Sequence, residues 1–300
     1  MRIRALAPAK VNLCLFLGPI RADGRHELVT LFQSLSLCDA LTLETRPPDE
    51  ADVVACSAKV DGENLATRAL AELRRRGWDA PPVRLEIDKR IPIAAGLAGG
   101  SADAAAALRL ALAVPAEVRP RAQELDVIAA DLGADVPSQL VPGLALGRGA
   151  GELVQHVEPL AQHAFVVLPS MLQLATVDVF RQADRMRLPR SDVELELRAE
   201  LLGEALEPGA RLPAELLVND LQPAALALCP TISLALAAAR DAGAEQAIVS
   251  GSGPTVVGIW WGEDALERAR SAVAALADRF PGAIAAEPVT STVAVPELLW

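Results

Sequence analysis

The sequence predicts an α+β protein of two lobes, and three observations carry that expectation. At 300 residues the chain is long for one compact core, so two domains, or one domain with two lobes, is the natural organisation. Apolar runs of strand length and amphipathic runs of helix length occur in both halves, with a break near residue 160 that separates an N-terminal domain, 1–160, from a C-terminal domain, 161–300. The third observation is KRIPIAAGLAGGSADAAAAL at 89–108, where an apolar strand passes through a glycine-rich turn into an alanine-rich helix.

Composition narrows the function classes. Hydrophobic residues make up 52% of the chain against 22% charged, enough for a large core and too much for a disordered protein. A net charge of −11 argues against a general nucleic-acid binder, which needs a basic surface. Tyr is absent and aromatics total 3%, which argues against a stacking platform for several bases. Cys14, Cys38, Cys56 and Cys229 are scattered without paired metal-ligand spacing and read as reduced, buried thiols. The N-terminal apolar run follows Lys10 and is broken by Asn12, so it reads as a strand and not as a signal peptide. No apolar run approaches the roughly 20 residues that span a bilayer, and the expected location is the cytoplasm, with no membrane partner. The sequence is compatible with a monomer or a homodimer.

In chain order, 2–17 reads as two strands hinged near Pro8. Lys10 within them is either a side chain that snorkels to solvent or a cation aimed at a reacting oxygen. An Ala-Asp-Gly turn opens the amphipathic stretch 21–33, where His26 alone has no fixed role. Strands are expected at 41–45 and 53–57, and an amphipathic helix at 63–77, with Asn64 as its cap. A strand at 83–89 delivers the chain into the glycine loop. Gly96, Gly99 and Gly100 permit positive φ and leave no Cβ in the way, so backbone N–H groups can approach a phosphate at the start of a helix opened by Ser101, Ala102 and Asp103. The bland alternative is a packed turn capped by Ser101. No Gly-Lys-Ser/Thr follows the glycines, and the dinucleotide glycine spacing is missing.

A helix near 121–132 leads to LGADVPSQL, where Asp135 is either a turn residue or a base tuned by apolar surroundings. PGLALGRGAGE at 142–152 reads as a hairpin. In the second half, strands are expected at 164–170, 246–261 (around a Ser-Gly turn) and 285–294. Helices are expected from Thr176, at 192–206, 218–226, 230–242 and 263–279.

PAKVNLCLFLG, RADGRHELVTLFQ, KRIPIAAGLAGGSADAAAAL, LGADVP, VNDLQPAAL and VSGSGPTVVGI, in this order and at these separations, resemble the GHMP kinase superfamily across nearly the whole chain. Within it they resemble the branch that phosphorylates CDP-methylerythritol in non-mevalonate isoprenoid synthesis. The resemblance implies a two-lobed fold with an ATP-binding cleft between the lobes, and transfer of the γ-phosphoryl group of ATP, with Mg²⁺, to the substrate's 2-hydroxyl. It makes Asp135 the base and Lys10 its cationic partner. Nucleotide contacts fall on Asn64 and on Pro92, Ile93, Ala94, Ala95, Gly96, Leu97, Ala98, Gly99, Gly100, Ser101 and Ala102, and the cytidyl substrate on Asn12, Arg25, His26, Phe32 and Phe180. Two departures stand out. Arg25 replaces the tyrosine usual there, and Ala102 replaces a frequent second serine. A guanidinium also stacks on a base, so Arg25 and His26 together keep a means of reading cytosine. Another acceptor alcohol, or a nucleotide-binding homologue without catalysis, remain the alternatives.

Overall fold

The computed structural model describes residues 1–59, 62–93, 95–170 and 172–299. Two long antiparallel strands come first, β1 (Arg2–Ile20) and β2 (His26–Thr45). The two strands expected around Pro8 are therefore one. Register slips between Pro8 and Lys10, and again between Asn12 and Cys14, so bulges absorb the bend that a hinge was expected to supply. Likewise 26–33 and 41–45 belong to a single strand, whose stretch 28–35 is buried throughout and so shows no alternation along the sequence.

The chain continues through β3 (Val53–Cys56), α1 (Leu65–Arg75), β4 (Val83–Asp88), α2 (Gly99–Ala113), α3 (Ala122–Leu132), the short α4 (Val136–Leu140) and the expected hairpin, β5 (Leu144–Arg148) with β6 (Leu153–His156). Next come β7 (His163–Leu168), α5 (Thr176–Arg185), α6 (Asp192–Ala205), α7 (Gln222–Leu228), α8 (Ile232–Asp241), β8 (Gln246–Val249), β9 (Val256–Trp261) and α9 (Ala265–Leu276). Helix α7 starts later than expected, because Val218 and Asp220 bond Leu15 of β1 on either side of the Leu15–Asn219 bridge, and the chain turns at 220–221 before the helix opens. The strand expected over 285–294 is only β10 (Ile284–Ala286). Pro288 and Pro296 bracket a 3₁₀ turn (Ser291–Ala294), after which β11 (Glu297–Leu298) pairs with the start of β1.

One sheet runs β11-β1-β2-β4-β3 and carries β5 and β6 along the other stretch of β2, while the second runs β10-β7-β9-β8. Helix α2 lies at the centre of the first core: its residues 104–108, four alanines and Leu108, are wholly buried, and small side chains let α1, α4 and β1 approach it closely. A second cluster joins the sheets, with Leu13, Phe16 and Leu31 of the first packed in one apolar body with Phe165, Val257 and Ile259 of the other. No helix among the described residues is long and apolar enough to cross a membrane.

His163 opens β7 in this shared core, between Phe165 and Trp261, with ring centroids 5.0 and 4.8 Å away. Its Nδ1 lies 2.7 Å from the carbonyl oxygen of Ala161, which places the proton on Nδ1, while Nε2 is buried without a partner. Burial lowers its pKa from 6.5. Between the lowered value and 6.5 the unfolded chain binds a proton that the folded chain refuses, so this contribution is complete above 6.5 and is lost as pH falls through that window. Replacing His163→Leu should flatten the stability difference between about pH 5 and about pH 7.5 in urea titrations, whereas an unchanged slope would assign the acid sensitivity to other groups.

Candidate active site

A cavity of about 1210 Å³ opens between the start of α2, the bulged part of β1 and β2, and α5. At its floor is Lys10. Strand β1 turns its side chain inward, only 5% exposed, with Nζ 3.1 Å from Asp135 Oδ1 and 2.9 Å from Asn12 Oδ1, and 4.8 Å from the centre of the Phe32 ring. Lys10 does not snorkel: a buried ammonium must be paired, and a carboxylate, an amide oxygen and a ring face meet it here. Asn12 is held in turn by its Nδ2 donating to Thr30 Oγ1 at 2.7 Å, and Thr30 donates to the carbonyl of Cys14. Asp135 stands at the N-cap position of α4 but makes no side-chain cap bond, and its carboxyl is more than a third exposed towards the cavity. The plain capping alternative for Asp135 is thereby removed.

The glycine loop forms the next wall. The helix begins at Gly99, two residues before the expected Ser101, and its cap is Ala98, in the left-handed region at φ 55° with no side-chain cap bond. A non-glycine residue there is strained, and the strain lies at the cavity face of the loop. The first intrahelical bond is Ala102 N to Ala98 O at 2.9 Å, so the amides of Gly99, Gly100 and Ser101 precede the helical ladder at its electropositive end. Gly96 is required in its own right: φ is +72°, and a Cβ would meet the carbonyl oxygen of Gly253 at 3.0 Å. That contact is one of several through which the second lobe shapes the loop. Thr255 Oγ1 donates to Ala95 O, and Ser250 Oγ accepts the amide of Asn12 at 3.2 Å; from β1, in the first lobe itself, the amide of Lys10 donates to Leu97 O at 3.1 Å.

Pro92, Ile93, Ala95, Gly96, Leu97, Ala98, Gly99, Gly100, Ser101 and Asn64 all line the cavity, together with Lys10, Asn12, Arg25, His26, Phe32, Asp135 and Phe180. Ala102 does not. Its side chain is wholly buried in the first core and its amide is spent inside the helix. Ala94 lies outside the described residues. Asn64 is the expected cap, its side chain accepting from the amide of Ala66 at 2.8 Å, so it serves the helix and the cavity wall together.

Opposite the loop, His26 and Phe180 face each other across 5.2 Å at a tilt of 35°, and His26 Nε2 lies 2.8 Å from Asp184 Oδ1. Arg25 lies at the rim, with its guanidinium bonded to Asp23 and 3.6 Å from Glu152. Sequence reasoning missed Asp184, Thr30 and the wall residues Thr176, Val177 and Ser252. It also missed Lys89 and Asp103, which line the cavity beneath the loop. Lys89 Nζ bonds both Asp39 and Asp103, the latter at 2.9 Å. Burial pushes the Asp103 carboxyl up to about 7 against the pull of Lys89. A charged Asp39 in the apolar run 35–43 was the one signal available.

Residues 64–143 match the family described as GHMP kinases N terminal domain, and residues 195–278 the one described as GHMP kinases C terminal. A 4-diphosphocytidyl-2-C-methyl-D-erythritol kinase of Corynebacterium efficiens is 43% identical, aligned over 99% of this chain and 96% of its own. A crystal structure of a 4-(cytidine 5'-diphospho)-2C-methyl-D-erythritol kinase superposes with a TM-score of 0.73 at 34% identity, over 95% of this chain and 98% of that one. The mevalonate kinase of L. major, at a TM-score of 0.68 and 15% identity over 96% of each chain, shares the fold. The chain belongs to the GHMP kinases and, within them, to the family of 4-diphosphocytidyl-2-C-methyl-D-erythritol kinases.

Proposed function

We propose that the chain transfers the γ-phosphoryl group of ATP to the 2-hydroxyl of 4-diphosphocytidyl-2-C-methyl-D-erythritol, with Asp135 as the base. The observation that carries this reading is the 3.1 Å pair of Lys10 and Asp135, placed in one cavity between an open helix N-terminus and the His26–Phe180 ring pair. Phosphoryl transfer asks for positioning and charge stabilisation more than covalent chemistry, and the cavity offers both. The amides at the start of α2 take the phosphates, Asp135 accepts the proton of the hydroxyl, and Lys10 stands beside the oxygen as negative charge grows on it. His26 and Phe180 offer ring faces to the pyrimidine, with His26 fixed by Asp184. Arg25, held by Asp23 and Glu152, brings its guanidinium to the rim beside them.

Among the described residues no group of three His, Cys, Asp or Glu side chains could cage a metal. Mg²⁺ needs no such cage when it travels on substrate phosphates, and the cavity wall supplies the Ser101 hydroxyl and the Glu63 carboxylate as oxygen donors. These residues fit a phosphate-borne Mg²⁺, which when bound would neutralise charge on the phosphate oxygens. Solution in the cytoplasm, as a monomer or a homodimer, completes the proposal.

ADP release should be measured with ATP and Mg²⁺ against 4-diphosphocytidyl-2-C-methyl-D-erythritol, free methylerythritol, homoserine, mevalonate and galactose. Turnover confined to the first, with phosphate on its 2-hydroxyl, is the expected result. Turnover with a different alcohol alone would replace the acceptor, and silence with all five despite ATP binding would leave a nucleotide-binding homologue. Asp135→Asn should lower kcat by about a hundredfold or more while ATP still binds, and near-normal turnover would remove Asp135 from the base role. Gly96→Val should raise the KM for ATP through its positive φ and the contact with Gly253, with a smaller change in the acceptor KM. The opposite split would detach the loop from the nucleotide.

A further inference from the structure

The loop that carries the phosphate reading leaves the first sheet at Lys89 and returns as the first turns of α2. Its two ends meet. Lys89 Nζ bonds Asp103 Oδ2 at 2.9 Å, across the neck of the loop, and bonds Asp39 Oδ2 on the adjoining strand β2. Asp39 uses its other oxygen to accept the amides of Arg90 at 2.6 Å and Ile91 at 2.8 Å, the first two residues of the loop. All three side chains are shut away from water, at 6%, 0% and 4% exposure for Lys89, Asp39 and Asp103. A Cβ on Gly99 would stand 3.1 Å from Lys89 Nζ, so the ammonium packs directly under the first residue of the helix.

Three buried ionisable groups are a costly way to hold a turn. Hydrophobic side chains of similar volume often stabilise a fold as well or better, so an ionic cluster in such a place points to geometry that apolar packing would not fix. Each member supplies a direction: Asp39 orients the amides of the outgoing chain, Asp103 the incoming helix, and Lys89 sets the spacing between them.

We propose that Lys89, held between Asp39 and Asp103, is a positioning residue whose ionic clasp closes the neck of the 90–102 loop and sets its amides for phosphate before the nucleotide arrives. The proposal rests on the reading of that loop as the nucleotide's phosphate site. Preorganisation of this kind removes the ordering cost from the binding step, so losing the clasp is felt in nucleotide affinity and not in affinity for the acceptor.

The test joins hydrogen exchange of the nucleotide-free chain to equilibrium binding of ATP with Mg²⁺. Three amides report the loop: Arg90 and Ile91, bonded to Asp39, and Lys10, bonded to Leu97 O. Lys89→Met should speed exchange at these three about tenfold or more while the amides of β7 and β9 keep their protection, and should weaken ATP about tenfold with acceptor binding changed less than about twofold. Unchanged exchange at the three amides alongside weaker ATP would overturn the clasp and make Lys89 a direct phosphate contact. Acceleration spread equally over both sheets would also overturn it, leaving a role in global stability alone. If the single variant does not fold, Lys89→Met combined with Asp103→Leu replaces the pair across the neck by apolar volume and carries the same readouts. A wild-type chain that fails to bind ATP would sink the phosphate-loop reading itself, an outcome separable from any change in the variants.

Discussion

A buried ammonium in a β-strand is the constraint on which the rest of this structure depends. Lys10 sits in a strand whose other residues from Ala7 to Leu17 are buried as well, and removing a cation from water there costs several kcal/mol unless its partners repay it. Repayment fixes much of the architecture. Asp135 must arrive from α4, Asn12 must turn back along the same strand, and Phe32 must present its ring from β2. Lys10 and Asn12, two residues apart in an unbroken stretch of register, share one face of the strand with Phe32, the cross-strand partner of Asn12, and the slips of register lie on either side of this group. Removing any one partner leaves charge or amide groups unpaired at low dielectric, so the cluster tolerates little variation in geometry.

The second lobe is bound into the same arrangement. Ser250, Gly253 and Thr255 touch Asn12, Gly96 and Ala95, so the turn between β8 and β9 acts as a template for the glycine loop. Below them the apolar cluster shared by Leu13, Phe16, Phe165 and Ile259 holds the two sheets together. The cavity is thus framed by backbone groups from both halves of the chain, which is why its walls are glycine, alanine and serine where polar chemistry is needed at short range.

What the sequence made legible follows from range. The glycine loop, the helix cap at Asn64 and the 142–152 hairpin are local devices, and each was read from adjacent residues. Lys10 and Asp135 read as polar intruders in apolar surroundings, yet only their contact shows that the lysine is buried and that the aspartate faces it across the cavity. The long strands were cut in two because Pro8 looks like a hinge and because 28–35, buried on both faces, carries no alternation. Ser101 was given the cap because serine is the better capping residue, whereas the chain starts the helix at Gly99 through a left-handed Ala98. The Asp39–Lys89–Asp103 cluster joins positions far apart in sequence, and its one local sign is the charged Asp39 within the apolar run 35–43.

Charge presents the sharpest test of this account, because a chain of net charge −11 must receive a triphosphate. The overall field opposes that ligand, but it acts through water and salt, which screen it over about 8–10 Å. Inside the cavity the terms are local: the aligned amides at the start of α2, Lys10 on one side of the loop and Lys89 beneath it. Each ammonium is already shared with carboxylates, Lys10 with Asp135 and Lys89 with Asp39 and Asp103, so neither presents a full free charge to the phosphates. On the proposed reading of the loop, its fixed backbone dipoles would bear the main burden of anion recognition, and dipoles act only when their directions are held. A protein that recognises phosphate mainly through backbone amides has more reason than one that uses free lysines to invest buried charge in the shape of its loop.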